Sequence, residues 1–330
     1  MKKVTVVAVL AFAALSCQGQ EEITVNVTVK DGQGKPIPSV KVTASSPRLQ
    51  NPDNPVMGII YDEVVRVTDS QGKASIAGKP FAEVYVSVAK QGYYKHLYEF
   101  KNGYFDKRKD KWVFQPKHDV TLVLREKVNP IPMYVWDTRE MACPASTNEW
   151  FGYDMLLGEY MPPHGNGKTE DVRFFAELVI RDLDYLRRVT VRFVGEHNGV
   201  VGIDDKNICD QSNLKLPYNA PQHGYQQQEF VVKRFRIPPE DVLFCETSTG
   251  TTNCFFRIRS KADENGNFIE GLYGKTVGLP DFQNDRRLQH MSEFTFCYYV
   301  NPTPNDLNVE FDPKRNLMKK PKDRMIPFAP

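Results

Sequence analysis

The chain has almost no excess charge of either sign: 43 Lys and Arg stand against 41 Asp and Glu in 330 residues. Such a balance offers no broad electrostatic field to nucleic acid or anionic lipid, so no nucleic-acid partner is expected. The common catalytic signatures are missing as well. There is no His-Glu-x-x-His, no Gly-x-Ser-x-Gly and no phosphate-cradling glycine loop. No two cysteines stand at the close spacing that structural zinc sites use. Past residue 17 no apolar run approaches the roughly 18 residues of a membrane span. Apart from a short turn near Phe282–Leu288, no stretch has the period of an amphipathic helix. No metal, cofactor or catalytic residue is therefore assigned.

What is present is alternation. Ile23, Val25, Val27 and Val29 alternate with Thr24, Asn26 and Thr28, and Val84, Val86 and Val88 repeat the pattern. Val172 to Ile180 and Val189 to Phe193 do so again, which a two-residue period explains and a helical one does not. Between these runs lie glycine turns, in Asp31-Gly-Gln-Gly-Lys and Asp69-Ser-Gln-Gly-Lys. At 41% hydrophobic and 25% charged residues the chain is a folded protein, long enough for two cores. The expected class is all-β, with two β-sandwich domains. The expected boundaries are 22–127 for the first domain, 128–133 for a Pro-rich linker, 134–303 for a second β-sandwich-like domain and 304–330 for a tail.

Residues 1–17 read as an export leader. Lys2 and Lys3 precede an apolar run, Val4 to Leu15, too short to span a bilayer. The run ends Ala14-Leu-Ser-Cys17, similar to the lipobox of bacterial lipoproteins, in which the cysteine carries the lipid; Ala14 stands where a leucine is usual. Plain cleavage after the small Ser16 is the alternative. An exported chain meets oxidising surroundings, and Cys245 and Cys254 flank a polar loop that places them for a disulfide across a hairpin end. Five cysteines follow Cys17, so one at least is left without a partner in the chain.

The stretch from Asp31-Gly-Gln-Gly-Lys-Pro-Ile-Pro through Val67-Thr-Asp-Ser-Gln-Gly-Lys to Val86-Ser-Val-Ala-Lys-Gln-Gly-Tyr-Tyr resembles a carboxypeptidase regulatory-like domain, the transthyretin-type β-sandwich. The resemblance implies a scaffold that is not itself catalytic. His96-Leu-Tyr-Glu99 has the His-x-x-Glu spacing of a zinc carboxypeptidase, but it lies inside the scaffold module and not in an α/β context. Asp263-Glu-Asn-Gly-Asn reads as a hairpin turn and not a calcium loop. Asp204, Asp205 and Asp210 read as solvated loop residues.

Function is therefore expected to be that of an exported, lipid-anchored, non-enzymatic scaffold of a bacterial envelope, for binding or assembly. Two alternatives remain at this level. One is a carbohydrate-binding surface protein, since aromatic faces stack on sugar rings; Trp150, Phe151, Tyr153, Tyr160 and His164 are its candidate residues, with core packing as the competing role for the rings. The other is a glycosidase-like hydrolase whose acid and base come from distant strands. A glycan or an envelope protein is the expected partner beyond the lipid.

Overall fold

The computed structural model describes residues 22–49, 58–78, 83–137, 142–144, 149–181, 184–209, 211–237, 242–284 and 291–318. The leader and Cys17 lie outside them. Among the described residues the chain is β throughout, with a 3-10 turn at Asp205–Asn207 and no α-helix. It divides into two units: Met1–Val128 with Asp210–Leu214, and Asn129–Cys209 with Lys215–Pro330.

The first unit contains β1 (Ile23–Lys30), β2 (Lys41–Leu49), β3 (Ile59–Val67), β4 (Lys73–Gly78), β5 (Glu83–Ala89), β6 (His96–Lys101), β7 (Gly103–Asp106), β8 (Lys111–Phe114) and β9 (Lys117–Val123). A three-stranded sheet, β4-β1-β9, and a four-stranded one, β3-β2-β5-β6, form a sandwich, beside the hairpin β7-β8. Alternation decides which side chains go inward. Val25, Val27 and Val29 of β1, with Leu122 of β9, share one core with Val42 of β2 and Val86 and Val88 of β5. Each such valine contributes about 1.5–3 kcal/mol by leaving water, an upper estimate because unfolded chains already bury some of this surface.

One turn is used repeatedly. Asp31 Oδ1 accepts from the backbone N–H groups of Gln33 and Lys35, and Asp69 Oδ1 from those of Gln71 and Lys73, all at 2.8–2.9 Å. Gly34 and Gly72 follow with φ of +83° and +69°, a region that glycine enters without a Cβ clash. Asp263 repeats the device in the second unit, accepting from Asn265 and Asn267 ahead of Gly266.

The first unit is completed by chain from much further on. Leu97 N–H donates to Gln211 O and Asn213 N–H to Lys95 O, both at 2.8 Å, so that Gln211–Asn213 covers the outer edge of β6. Arg125 Nη1 donates to Leu214 O at 3.0 Å.

The second unit holds β10 (Ile131–Asp137), β11 (Ala142–Pro144), β12 (Trp150–Asp154), β13 (Glu159–Tyr160), β14 (Val172–Arg181), β15 (Asp184–Phe193), β16 (Gly199–Gly202), β17 (Glu229–Ile237), β18 (Val242–Thr247), β19 (Cys254–Ala262), β20 (Phe268–Thr276), β21 (Asp281–Asn284), β22 (Met291–Thr295), β23 (Cys297–Val300) and β24 (Phe311–Asn316). Two six-stranded sheets, β16-β19-β20-β23-β10-β24 and β13-β12-β14-β15-β17-β18, enclose the main core; β11-β22-β21 is a smaller third sheet. The first of the six-stranded sheets is apolar on both faces. Tyr298 and Val300 face the main core, while Tyr299 faces a second core with Tyr225 and Phe311.

Three expectations are corrected here. The Pro-rich stretch 128–133 is not a free linker, because Ile131 opens β10 and Met133 is fully buried. Residues flanking proline are extended, and an extended segment pairs as readily as it links. Pro132 cannot donate to the ladder, and the pairing of β10 with β24 shifts register there. Nor is 304–330 a loose tail over its first part: Val309 and Phe311 are fully buried, and β24 runs parallel to β10. Phe282, read near a short helical turn, lies in β21.

Candidate functional site

The residues singled out in the sequence separate cleanly by strand parity. Phe151, Tyr153 and Tyr160 are buried in the main core with Phe174. Tyr298 Oη donates to Met155 O at 2.8 Å and lies 3.4 Å from Tyr153 Oη. These rings are packing, not platform. Trp136 is also buried, and the side chain of Trp112 lies outside the described residues. Trp150 has the opposite parity on β12 and is 40% exposed. His164 is exposed in the loop after the Pro162–Pro163 bond.

Three further candidates resolve into structural roles. His96 is buried, with Nδ1 3.1 Å from Val123 O, whereas Glu99 is exposed. Residues three apart on a strand point to opposite faces, so the His-x-x-Glu spacing does not make a ligand pair here. No group of three or more His, Cys, Asp or Glu side chains gathers as a metal site among the described residues. Cys245 and Cys254 are both free, which corrects the expected disulfide. Cys245 pairs with Arg234 on exposed β18, while Cys254 is buried on β19 in the other six-stranded sheet. The flanking loop does not join them as a hairpin end. Burial pushes the Cys254 thiol up to about 11.

Trp150 belongs to a built surface. Directly opposed residues of antiparallel strands share a face, and the register places Trp150, Phe175, Thr190 and Val231 in one row across β12, β14, β15 and β17. Long charged side chains flank that row. On one side stand Arg192 and Glu229, joined by an Nε–Oε1 hydrogen bond of 2.8 Å. On the other stand Arg188 and Glu177, joined at 2.8 Å, then Lys233 and Glu246. Low floor and tall walls make a groove of about 420 Å³, lined by Arg188, Thr190, Glu229, Val231, Lys233 and Glu246 with the end of β18. Trp150 stands beside this groove and not in its lining: Phe175 lies between it and Thr190 in the row, 5.2 Å from the indole centre, and the Arg192 guanidinium sits over the indole at 4.3 Å. A cation over an aromatic face restrains the ring. The signal for this groove was present in the sequence as the polar half of each alternation. It could not be read, because register across strands is set by pairing and not by sequence order.

Just beyond Trp150, Asp154 anchors the following loop. Its side chain and that of Asp171 are each 1% exposed, and both bind Arg259, at 2.9 Å and 2.8 Å. Asp154 also accepts backbone N–H groups of Leu156, Leu157, Lys168 and Thr169 at 3.0–3.1 Å. Burial alone would raise this carboxyl, but the Leu157, Thr169 and Lys168 donors together with Arg259 hold it below the usual range. Asp171 goes the other way, with burial outweighing the Arg259 hydrogen bonds. A cleft of about 380 Å³ opens beside this cluster, lined by Tyr134, Leu157, Lys168 and Arg259 among others. The buried acceptors there are already satisfied within the protein, which makes the cluster a clamp on residues 154–171.

No family model matches the chain, and no curated protein matches it. Among solved structures it is similar to the major pilin SpaD of Corynebacterium diphtheriae, at 10% identity over 77% of this chain and 74% of the pilin, with a TM-score of 0.25. A DUF3823 family protein of Bacteroides uniformis matches at 8% identity over 88% of this chain and all of that one, with a TM-score of 0.21. A 3-chlorocatechol 1,2-dioxygenase of Rhodococcus opacus matches at 13% identity over 33% of this chain, with a TM-score of 0.26. The chain spans 61% of that dioxygenase's length. Likeness at these scores carries no inference about activity. The β-sandwich architecture rests on the strand pairing within the chain.

Proposed function

We propose that the protein is an exported, non-catalytic binding scaffold, held at a bacterial envelope by lipid on Cys17. In this reading its first unit is a carboxypeptidase regulatory-like sandwich, and its second unit presents a recognition face on the outer side of the β13-β12-β14-β15-β17-β18 sheet. The observation that carries the reading is the groove. A protein that needed only to be stable would gain nothing from a partly exposed tryptophan in line with a low floor of Thr190 and Val231 walled by fixed ion pairs. The basic start, short apolar run and Ser16-Cys17 junction support export and the anchor. The Asp-turn signatures and the three-plus-four sandwich support the module assignment.

The test uses the full chain produced in a bacterial host. Intact mass of the mature protein is expected to show a lipid adduct and loss of the leader, with Cys17→Ala moving the protein to the soluble fraction. A soluble wild-type product with an unmodified N-terminus overturns the anchor. Incubated with envelope polysaccharide, the purified protein is expected to bind without creating new reducing ends, and their appearance overturns the non-catalytic reading.

A further inference from the structure

Resting on that binding reading, we propose that the groove takes an uncharged glycan chain laid across the strands, which continues along the row past Phe175 so that the exposed part of Trp150 meets a sugar ring beyond the groove's end. The charge in the walls argues for a neutral ligand. Arg173, Arg188, Arg192 and Lys233 are offset by Glu170, Glu177, Glu229 and Glu246, four against four, so the walls sum to zero. A site for a polyanion would leave its arginines unmatched, whereas here three of the four cations are hydrogen-bonded to carboxylates in place.

Those same pairs suit a polyol. Guanidinium and carboxylate groups are planar and fixed, and each retains donors or acceptors beyond the bonds it makes to the other. Vicinal hydroxyls need donors and acceptors side by side, which alternating Arg and Glu supply. The floor fits as well. Thr190 is nearly buried and offers a hydroxyl between the apolar Phe175 and Val231, so a ring can lie flat without meeting a long side chain. The row crosses three strand spacings, about 14 Å, the length of a short oligosaccharide.

Trp150 supplies what polar groups cannot. Sugar rings present C–H faces, and burying one against an indole removes apolar surface from water. Arg192 covers one face of the indole and Phe175 packs beside it, so the ring is held before the ligand arrives and a sugar meets only the 40% of Trp150 that stays exposed.

The experiment is calorimetric titration of the full chain with cellohexaose, xylohexaose, mannohexaose and maltohexaose, and with oligogalacturonate as the charged comparison. Binding of at least one neutral oligosaccharide is expected. Its affinity is expected to stay within about twofold between about 50 and about 500 mM salt, because no net charge is neutralised. Trp150→Ala is expected to weaken it by about tenfold or more, as loss of an aromatic anchor does. Val231→Arg, which places a long side chain on the floor, is expected to abolish it. Unchanged thermal midpoints check that both variants are folded. Binding of oligogalacturonate alone, or affinity that collapses with salt, overturns the neutral-glycan assignment. So does the absence of binding to all five probes. If the probes fail but Val231→Arg still removes retention on envelope polysaccharide, the recognition face stands and only its ligand class falls. If Trp150→Ala and Val231→Arg bind a hexasaccharide as tightly as wild type, the groove is not the site and both readings fall.

Discussion

Asp154 shows how one carboxylate can organise a region. It receives four backbone N–H groups and one guanidinium while almost wholly buried. Asparagine has the same shape but a single acceptor oxygen, and its amide would face donors. Asp154→Asn is expected to destabilise the protein by about 3–5 kcal/mol, since it leaves Arg259 and several N–H groups without their acceptor. The pH dependence follows from the depressed carboxyl. The stability that Asp154 lends is present at neutral pH and lost as pH falls through its folded value. Asp171 contributes with the opposite sign, because its carboxyl is raised. Urea unfolding of wild type and Asp154→Asn across the acid range checks this: the difference between them is expected to shrink as pH drops below the usual carboxylate range. A constant gap would mean that Asp154 acts by shape and not by charge. Nothing in the sequence singled out this residue. Asp154, Asp171 and Arg259 are far apart in the chain, and buried ion clusters have no local spacing. His96 and Glu99 did have one, and it misled until the strand showed their opposite faces.

At the scale of elements, strands were the most legible feature because apolar alternation is a direct imprint of a half-buried sheet. The turns were legible too, since aspartate three residues ahead of glycine is nearly a description of the geometry. The two glycines are not equivalent, however. A Cβ on Gly34 would meet no atom within 4 Å, whereas one on Gly72 would lie 2.5 Å from Val29 O. Gly34→Ala is therefore expected to cost about 1–2 kcal/mol, the penalty of positive φ alone. Gly72→Ala is expected to cost clearly more, because backbone must move as well. Equal shifts in the denaturation midpoint of the first unit would show that the close approach to Val29 is readily relieved. What could not be read was how extended, proline-containing segments end up. Residues 128–133 and 304–316 carry the marks of linkers, yet β10 and β24 pair with each other. Proline fixes an extended backbone but does not say whether a partner strand is waiting.

For the whole molecule, chain length and strand alternation pointed to two all-β units without showing that the first is discontinuous. Residues 22–127 were expected to stand alone, but Gln211–Leu214 belongs to the same unit. A fragment ending at Val128 is expected to be less stable than that unit in the full chain by about 3 kcal/mol, roughly one for each of three lost hydrogen bonds. It is also expected to self-associate through the bared edge of β6. A fragment that matched the full chain in urea and stayed monomeric would make the covering segment dispensable. The arrangement also has a consequence in time. If the chain is exported N-terminus first, as proposed, β6 is delivered early and Gln211 late, with 129–209 passing in between. Throughout that interval the first sandwich is out but unfinished, its open edge available to any extended neighbour. Substitutions within Gln211–Leu214 would then appear first as poor yield of exported protein, even where the finished molecule binds as well as before.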